Sequence, residues 1–475
     1  MRKKIDLGNF DAVLKSGIEV KELWRQFINI SGYPRCSGNE KPVADYVISE
    51  ALRRKLVYKA DSYGNILISV PSTGLSSEPV ILQSHLDMVC ESSGSFDFEN
   101  KPIELVYENG KIFANNTTLG ADNGIGVAAM LALMDERFAH PPLLLLFTVD
   151  EETGLNGAGK LTKKFVTGKT LINLDGEEFG KIYTGCAGGI VTTGTIKIDK
   201  IDISEIGYRI TIDGLKGGHS GVDIDKGRIN AIKLLFEILK SLEKFDIKIA
   251  SIDAGDKINA IPRSASVSIV PLNQDIKRVL NTKIDKIKQC SDEKIRLHIK
   301  EEKLTSCWSA DFSKRIIILI NKLPNGVIER RSGTVYTSSN LASAKGNGSL
   351  TVKTFQRSYG SKNMNILSSE IAELFAKNGF TTGREGEFPG WEPTESRLLK
   401  VATRQFEKLF NLKPETLAIH AGLECGIIKN RCGIKELISF GPTIRNAHSP
   451  NESVEIDTVE KFYRFLKKLI ENSDK

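Results

Sequence analysis

The chain has 475 residues, 40% of them hydrophobic and 26% charged, the balance of a globular protein and too long for one ordinary core. Its net charge of +7 is spread along the chain, with acidic residues interrupting the basic clusters, so the basic stripe of a nucleic-acid binder is missing. The longest apolar run, Val127 to Met134, is too short to span a bilayer, and Asp6 and Asp11 break the apolar stretch that a signal peptide would need after MRKK. Seven scattered cysteines without a CxxC pair read as reduced thiols in a cytoplasmic protein.

In chain order, the spacing predicts a helix over about 40–55, with Ser37 or Asn39 to cap it. A strand–turn–strand follows, turning at Tyr63-Gly64-Asn65, then a short apolar strand from Val80 to Ser84. Asp122 and Asn123 stand at the start of a Gly- and Ala-rich helix that ends near Met134. The uninterrupted leucines of Leu143 to Val149 predict a fully buried strand, and Leu171 to Leu174 another. Such alternation is that of an α/β layer with a largely parallel sheet.

From about residue 187 the pattern becomes strand (208–214), helix (226–242), strand (247–253), strand (264–270), helix (276–289) and strand (294–299). That is the β-α-β-β-α-β order of a ferredoxin-like unit. A similar order recurs in a helix at 311–322, strands at 333–342 and 349–357, and a helix at 363–377. EFPGWEPTES, residues 387–396, reads as a crossing back to the first domain, where a helix over 398–410 follows.

Five short segments carry the chemistry, each at the carboxyl end of an expected strand or in a loop or helix start beside one. That is the edge at which open α/β sheets bind ligands. In QSHLDMVCE, His85 and Asp87 are two apart, so extended backbone sends both side chains to one face. A metal-bound imidazole commonly gives its other N–H to a carboxylate, a place Asp87 can fill, although a surface His beside an Asp is the commoner arrangement. In TTLGADNGIG, Asp122 reads as readily as a helix cap. FTVDEETGLNGA sets Asp150, Glu151 and Glu152 after a buried strand, which is costly unless a cation or solvent offsets the charge. Asp175 ends the strand of INLDGEE, and His448 lies in the loop GPTIRNAHSPNE.

With ILQSHLDMV, TTLGADNGIGVAA, LLFTVDEETGLNGA, NLDGEE, GCAGG, GGHSGVDI, NAIPR, IHAGLECG and ISFGPTIRNAHSP, the sequence resembles the aminoacyl-histidine (Xaa-His) dipeptidases from about residue 20 onward. These form a carnosinase-like branch of the co-catalytic di-zinc metallopeptidases. The resemblance implies an α/β, di-zinc aminopeptidase-like catalytic domain over 1–186 and 392–475, with a mostly parallel sheet. The order of the expected elements suggests an inserted α+β lid domain over 187–391, made of two ferredoxin-like halves, 187–302 and 303–391.

By resemblance, Asp122 bridges two metal ions, His85 and Asp175 complete one shell, and Glu152 and His448 the other. Glu151 is the general base and Asp87 the orienter of His85, and the peptide after Asp122 is cis. In the lid, His219 of KGGHSG stabilises the oxyanion, while Asn340 and Arg357 hold the substrate carbonyl and C-terminal carboxylate. Gly422 and Glu424 line the pocket; His140, His298 and His420 are given no role. The expected cofactor is two Zn2+ per chain, with Mn2+ or Co2+ as substitutes. The expected substrates are dipeptides with C-terminal histidine, with no nucleic-acid or membrane partner and homodimerisation left open. A tripeptidase or an N-acyl-amino-acid amidohydrolase would share the same metal ligands. A metal-bearing binding protein has no use for Glu151 beside Glu152.

Overall fold

The structure is a computed structural model that describes residues 3–10, 20–74, 78–135, 137–242, 246–270, 278–280, 282, 285 and 293–473. It divides into two compact units, Met1–Cys186 with Trp391–Ala418 and Leu423–Lys475, and Ala187–Gly390 with Ile419–Gly422.

The first unit is built on an eight-stranded mixed sheet. Its four central strands, Leu143–Thr148, Val80–His85, Thr170–Asn173 and Glu436–Ser439, run parallel. Val57–Ala60, Ile66–Val70 and Lys181–Cys186 join antiparallel on the flanks. The central strands are near-continuous apolar runs because the layers on both faces exclude water. Helix Ala121–Leu133 is buried along its whole length, which its small residues permit. The strongly amphipathic helices Lys21–Ile30 and Ile456–Glu471 each bury one stripe in the same core. Four parallel strands place four carboxyl ends at one edge, and those ends lead into the segments that carry His85, Glu151 and Asp175.

The second unit holds a nine-stranded antiparallel sheet. Its strand order is Arg296–Trp308, Lys200–Asp213, Ala265–Val270, Lys248–Ala254, Thr334–Gly346, Ser349–Ser358, Gly188–Lys197, Thr381–Phe388, with Gly326–Arg331 added on Thr334–Gly346. Helices Ala231–Ser241, Ala310–Lys322 and Ser361–Lys377 share one apolar core with this sheet.

Several expectations change. The first sheet keeps the expected parallel centre but is mixed, because the hairpin over 57–70 and the strand Lys181–Cys186 join it antiparallel. Strand Gly188–Lys197 went unforeseen because three glycines weaken its strand pattern, and Thr381–Phe388 because it is a polar, exposed edge strand. The expected helix over 276–289 falls largely outside the described residues. The cysteines are not all free: Cys36 and Cys90 form a disulfide across 54 residues, with Cα atoms 5.7 Å apart. A bridge between Cys36 and Met88 lays the two segments side by side, which residue spacing alone does not reveal. Cys186, Cys307, Cys425 and Cys432 are free and buried. Among the described residues no helix is long and apolar enough to cross a membrane.

Candidate metal centre

Asp122 is the hub of the first unit's polar edge. Its Oδ1 lies 3.0 Å from His85 Nε2, and its Oδ2 lies 3.1 Å from His448 Nε2. His85 Nε2 is also 3.3 Å from Asp175 Oδ1, and His448 Nε2 is 3.0 Å from Glu152 Oε1. Three overlapping sets converge to within 4.8 Å: His85, Asp122, Asp175; His85, Glu151, Glu152; and Asp122, Glu152, His448. The Asp122–Asn123 peptide is cis, as the resemblance implied.

The electrostatics are those of a site built around positive charge. Burial raises the Glu151 carboxyl well above its ordinary range, and Asp175 and Glu152 add to the rise. Asp175 is pushed up to about 6 by burial, against the pull of His85. Burial also acts upward on Asp122, but His448 and His85 outweigh it and hold this carboxylate low. His448 is drawn up to about 11 by its hydrogen bonds to Asp122 and Glu152. Carboxylates that depend on two imidazolium ions for compensation fit divalent cations in the protons' place, since nitrogen and oxygen donors at this separation suit zinc, manganese or cobalt.

The neighbouring acids separate by function. Asp150 accepts from Tyr63 Oη and Asn156 Nδ2, both at 3.0 Å, and so belongs to the loop. The Glu151 carboxyl makes no hydrogen bond or ion pair among the described residues. Asp87 stands only 3.5 Å from His85 Nδ1, which lies closer, at 3.1 Å, to the Asp87 backbone carbonyl. The Asp87 carboxylate accepts the amides of Glu151 at 3.0 Å and Glu152 at 3.1 Å, and the Ser37 hydroxyl at 2.7 Å. Burial works against this charge, yet His85 and those amides hold it down at about 2. The Asp87 carboxylate thus ties down the backbone of both glutamates. Ser37, expected as a helix cap, is spent here, and helix Lys41–Arg53 starts without a side-chain cap.

The remaining candidates lie in the second unit, apart from Glu424. His219 Nδ1 accepts the amides of Gly221 and Val222, both at 3.2 Å, which leaves the ring hydrogen on Nε2. Burial and then Arg357 lower this imidazole to about 4, so it is a neutral donor. Arg357 is buried beside His219 and Ser220. Asn340 is fully engaged: its amide donates to Ala260 O at 2.8 Å, and strand Ala260–Ile261 pairs with Gly218–His219. Asn340 therefore braces the two-stranded pairing that holds His219. Gly422 is half-buried. Glu424 is buried at the start of helix Glu424–Cys432, accepting from Gln83 at 2.6 Å and Thr148 at 2.7 Å, which places it in the interior rather than on a pocket wall. His140 turns Nδ1 to the Pro141 carbonyl, and exposed His298 faces Asp213.

Residues 81–472 match the model of Peptidase family M20/M25/M40. The chain belongs to this family. The cytosol non-specific dipeptidase of Escherichia coli is 34% identical over 475 aligned positions, which cover 96% of this chain and 98% of that protein. The crystal structure of aminoacylhistidine dipeptidase from Vibrio alginolyticus superposes with a TM-score of 0.86 at 32% identity, covering 98% of this chain and 99% of that one. Aminopeptidase PepT from Bacillus cereus shares the fold, with a TM-score of 0.63 at 17% identity over 96% of this chain and 99% of that one.

Two residues that position the centre of this M20 chain escaped sequence reasoning. Glu452 accepts four successive backbone amides, Leu119 and Gly120 on Oε2 and Ala121 and Asp122 on Oε1, at 2.8 to 3.3 Å. Arg35, fully buried, donates to the carbonyls of Leu86, Asp87 and Gly120 and so ties the His85 and Asp122 segments together. Gly120 is left-handed, with φ 67°, and a Cβ there would stand 2.2 Å from the Arg35 guanidinium. The only signal available was the HSPNE loop itself, where an acid follows His448 by four residues.

Proposed function

We propose that this chain is a metal-dependent dipeptidase. The observation that carries the reading is Asp122, whose two oxygens face one imidazole each. His85, Asp122 and Asp175 would hold one divalent ion and Asp122, Glu152 and His448 the other. We assign zinc, with manganese or cobalt able to substitute. Such ions supply polarisation of the scissile carbonyl and activation of water at neutral pH.

The chain's own groups do the rest. Glu151, its carboxyl raised by burial and unengaged by other side chains, takes the proton from the attacking water and returns it to the leaving amine. Asp87 keeps Glu151 and Glu152 in place through their amides. In the second unit, the neutral His219 offers Nε2–H to the developing oxyanion, and Arg357 offers its planar fork to the substrate's C-terminal carboxylate.

Preference for C-terminal histidine is the finer reading, supported by IHAGLECG and by the Vibrio alginolyticus relative. The Escherichia coli relative, described as non-specific, supports a broader dipeptidase. A panel of Xaa-His dipeptides, other dipeptides, tripeptides and N-acyl amino acids, assayed with zinc, manganese and cobalt, separates these readings. Cleavage of N-acyl amino acids or tripeptides in preference to dipeptides would replace the proposal with an amidohydrolase or tripeptidase. A cytoplasmic location is supported by the four free buried cysteines and the cytosol relative, and the Cys36–Cys90 bond is the feature that departs from it.

The strand order supports a reading of the second unit as two ferredoxin-like halves. Arg296–Trp308, Lys200–Asp213, Ala265–Val270 and Lys248–Ala254 form one set, and Thr334–Gly346, Ser349–Ser358, Gly188–Lys197 and Thr381–Phe388 the other. The second set takes its first strand from before the first set, so a cut at 302/303 would divide it.

A further inference from the structure

The second unit buries a guanidinium without a counter-ion. Arg357 is 4% exposed, and among the described residues no carboxylate pairs with it; burial alone pulls it down to about 10. Its neighbours are the Ser220 hydroxyl and His219 Nε2, both at 3.4 Å, and the Phe355 ring at 4.4 Å. An unpaired buried charge is expensive, and it marks a seat for an anion that arrives with a ligand. Arg357 itself belongs to the dipeptidase reading. A second group on the same face does not.

Ser338 pairs directly with Arg357 across two antiparallel strands, so both side chains leave from one face of the sheet. Ser338 Oγ lies 2.8 Å from His420 Nε2. The ring of Tyr359, two residues beyond Arg357 on that same face, meets His420 edge-on at 5.6 Å. His420 is 8% exposed, and its Nδ1 has no hydrogen-bond partner among the described residues. The backbone is fitted to it: a Cβ on Gly221 would stand 2.0 Å from the His420 carbonyl oxygen, so glycine lets the His219 loop lie against this residue. Leaving a buried imidazole nitrogen unsatisfied costs stability that an apolar side chain would not forfeit.

We propose that His420 is a specificity residue whose Nδ1–H, together with Arg357, receives the terminal carboxylate of a peptide substrate, with Ser338 donating to Nε2. The inference rests on the dipeptidase reading. Burial, then Arg357 and His219, hold His420 down to about 3, so the ring stays neutral and carries one N–H. A donating Ser338 hydroxyl puts that hydrogen on Nδ1.

The test uses the metal-loaded full chain, with alanyl-histidine and its C-terminal amide as substrates. His420→Ala should raise KM for the free acid about 10- to 100-fold, the range of a lost charge-assisted hydrogen bond, with kcat nearly unchanged and the amide unaffected. His420→Asn, which keeps an N–H near Nδ1, should recover most of the loss. Equal losses on acid and amide, or no change in KM for the acid, would overturn the assignment and leave the dipeptidase reading intact. If the wild type cleaves neither substrate, the dipeptidase reading falls. Calorimetric binding of free histidine against histidinamide then decides the anion seat separately. Weaker binding of the acid alone in His420→Ala upholds the seat, and equal binding removes it.

Discussion

Glu452→Gln is the sharpest structural perturbation of the centre, because one carboxylate serves four amides. Glutamine has nearly the same volume, but it replaces one oxygen with an NH2 group that cannot accept. In either orientation two of the four N–H groups lose their acceptor and face a donor. Each unsatisfied buried donor costs about 1–3 kcal/mol, so the pair costs about 2–6 kcal/mol. If the Nε2 end takes the Ala121/Asp122 side, the 3.3 Å bond to Asp122 is the weaker of those lost, which points to the lower half of that range. Arg35 loses as well, since Glu452 is the foremost charge opposing the effect of burial on it. Urea unfolding of the metal-free protein should show about 2–4 kcal/mol less stability by that arithmetic. Metal affinity, from competition with a chromophoric chelator, should fall about 10- to 100-fold, because the loop that aims Asp122 is no longer fixed. Saturating metal should restore most of kcat. A variant with the wild-type urea midpoint and wild-type metal affinity would refute the reasoning.

The other predictions follow from the same assignments. Glu151→Gln should keep both metals and lose most of kcat, whereas Glu152→Gln should weaken one metal site; identical behaviour in metal titrations would contradict the split between them. Arg357→Met should cost about 2–5 kcal/mol in kcat/KM on a free dipeptide and little on the amidated one, with equal losses pointing to a structural role. His219 is held at about 4, below its ~6.5 in an unfolded chain, so the unfolded state takes up a proton that the folded state refuses. Its contribution to stability is therefore complete above pH ~6.5 and is lost as pH falls toward 4. The urea-midpoint gap between wild type and His219→Asn should change in the wild type's disfavour over that window. A gap independent of pH would argue against it.

The candidate metal site was legible because its residues stand at strand ends, where a polar residue interrupts an apolar run. His85 closes VILQSH, and Asp175 follows the buried strand Thr170–Asn173. What pattern could not show was which polar residues serve the backbone. Arg35 and Glu452 bond to main-chain carbonyls and amides, and such partners leave no periodicity or motif in the sequence. Asp87 illustrates the same limit: HxD suggested a partner for His85, but the amides of Glu151 and Glu152 are 64 and 65 residues away. His420 was passed over because a lone histidine in a loop carries no sign of the buried arginine on the neighbouring strand.

The central claim is that catalysis depends on two divalent ions gathered around Asp122. Metal-free protein titrated with zinc, with dipeptide hydrolysis followed at each addition, tests it most directly. Activity should be absent at the start, rise with added zinc and level off at two equivalents per chain, and be removed again by a chelator. A metal-free preparation that cleaves dipeptides at the full rate, or a plateau reached at one equivalent, would contradict it.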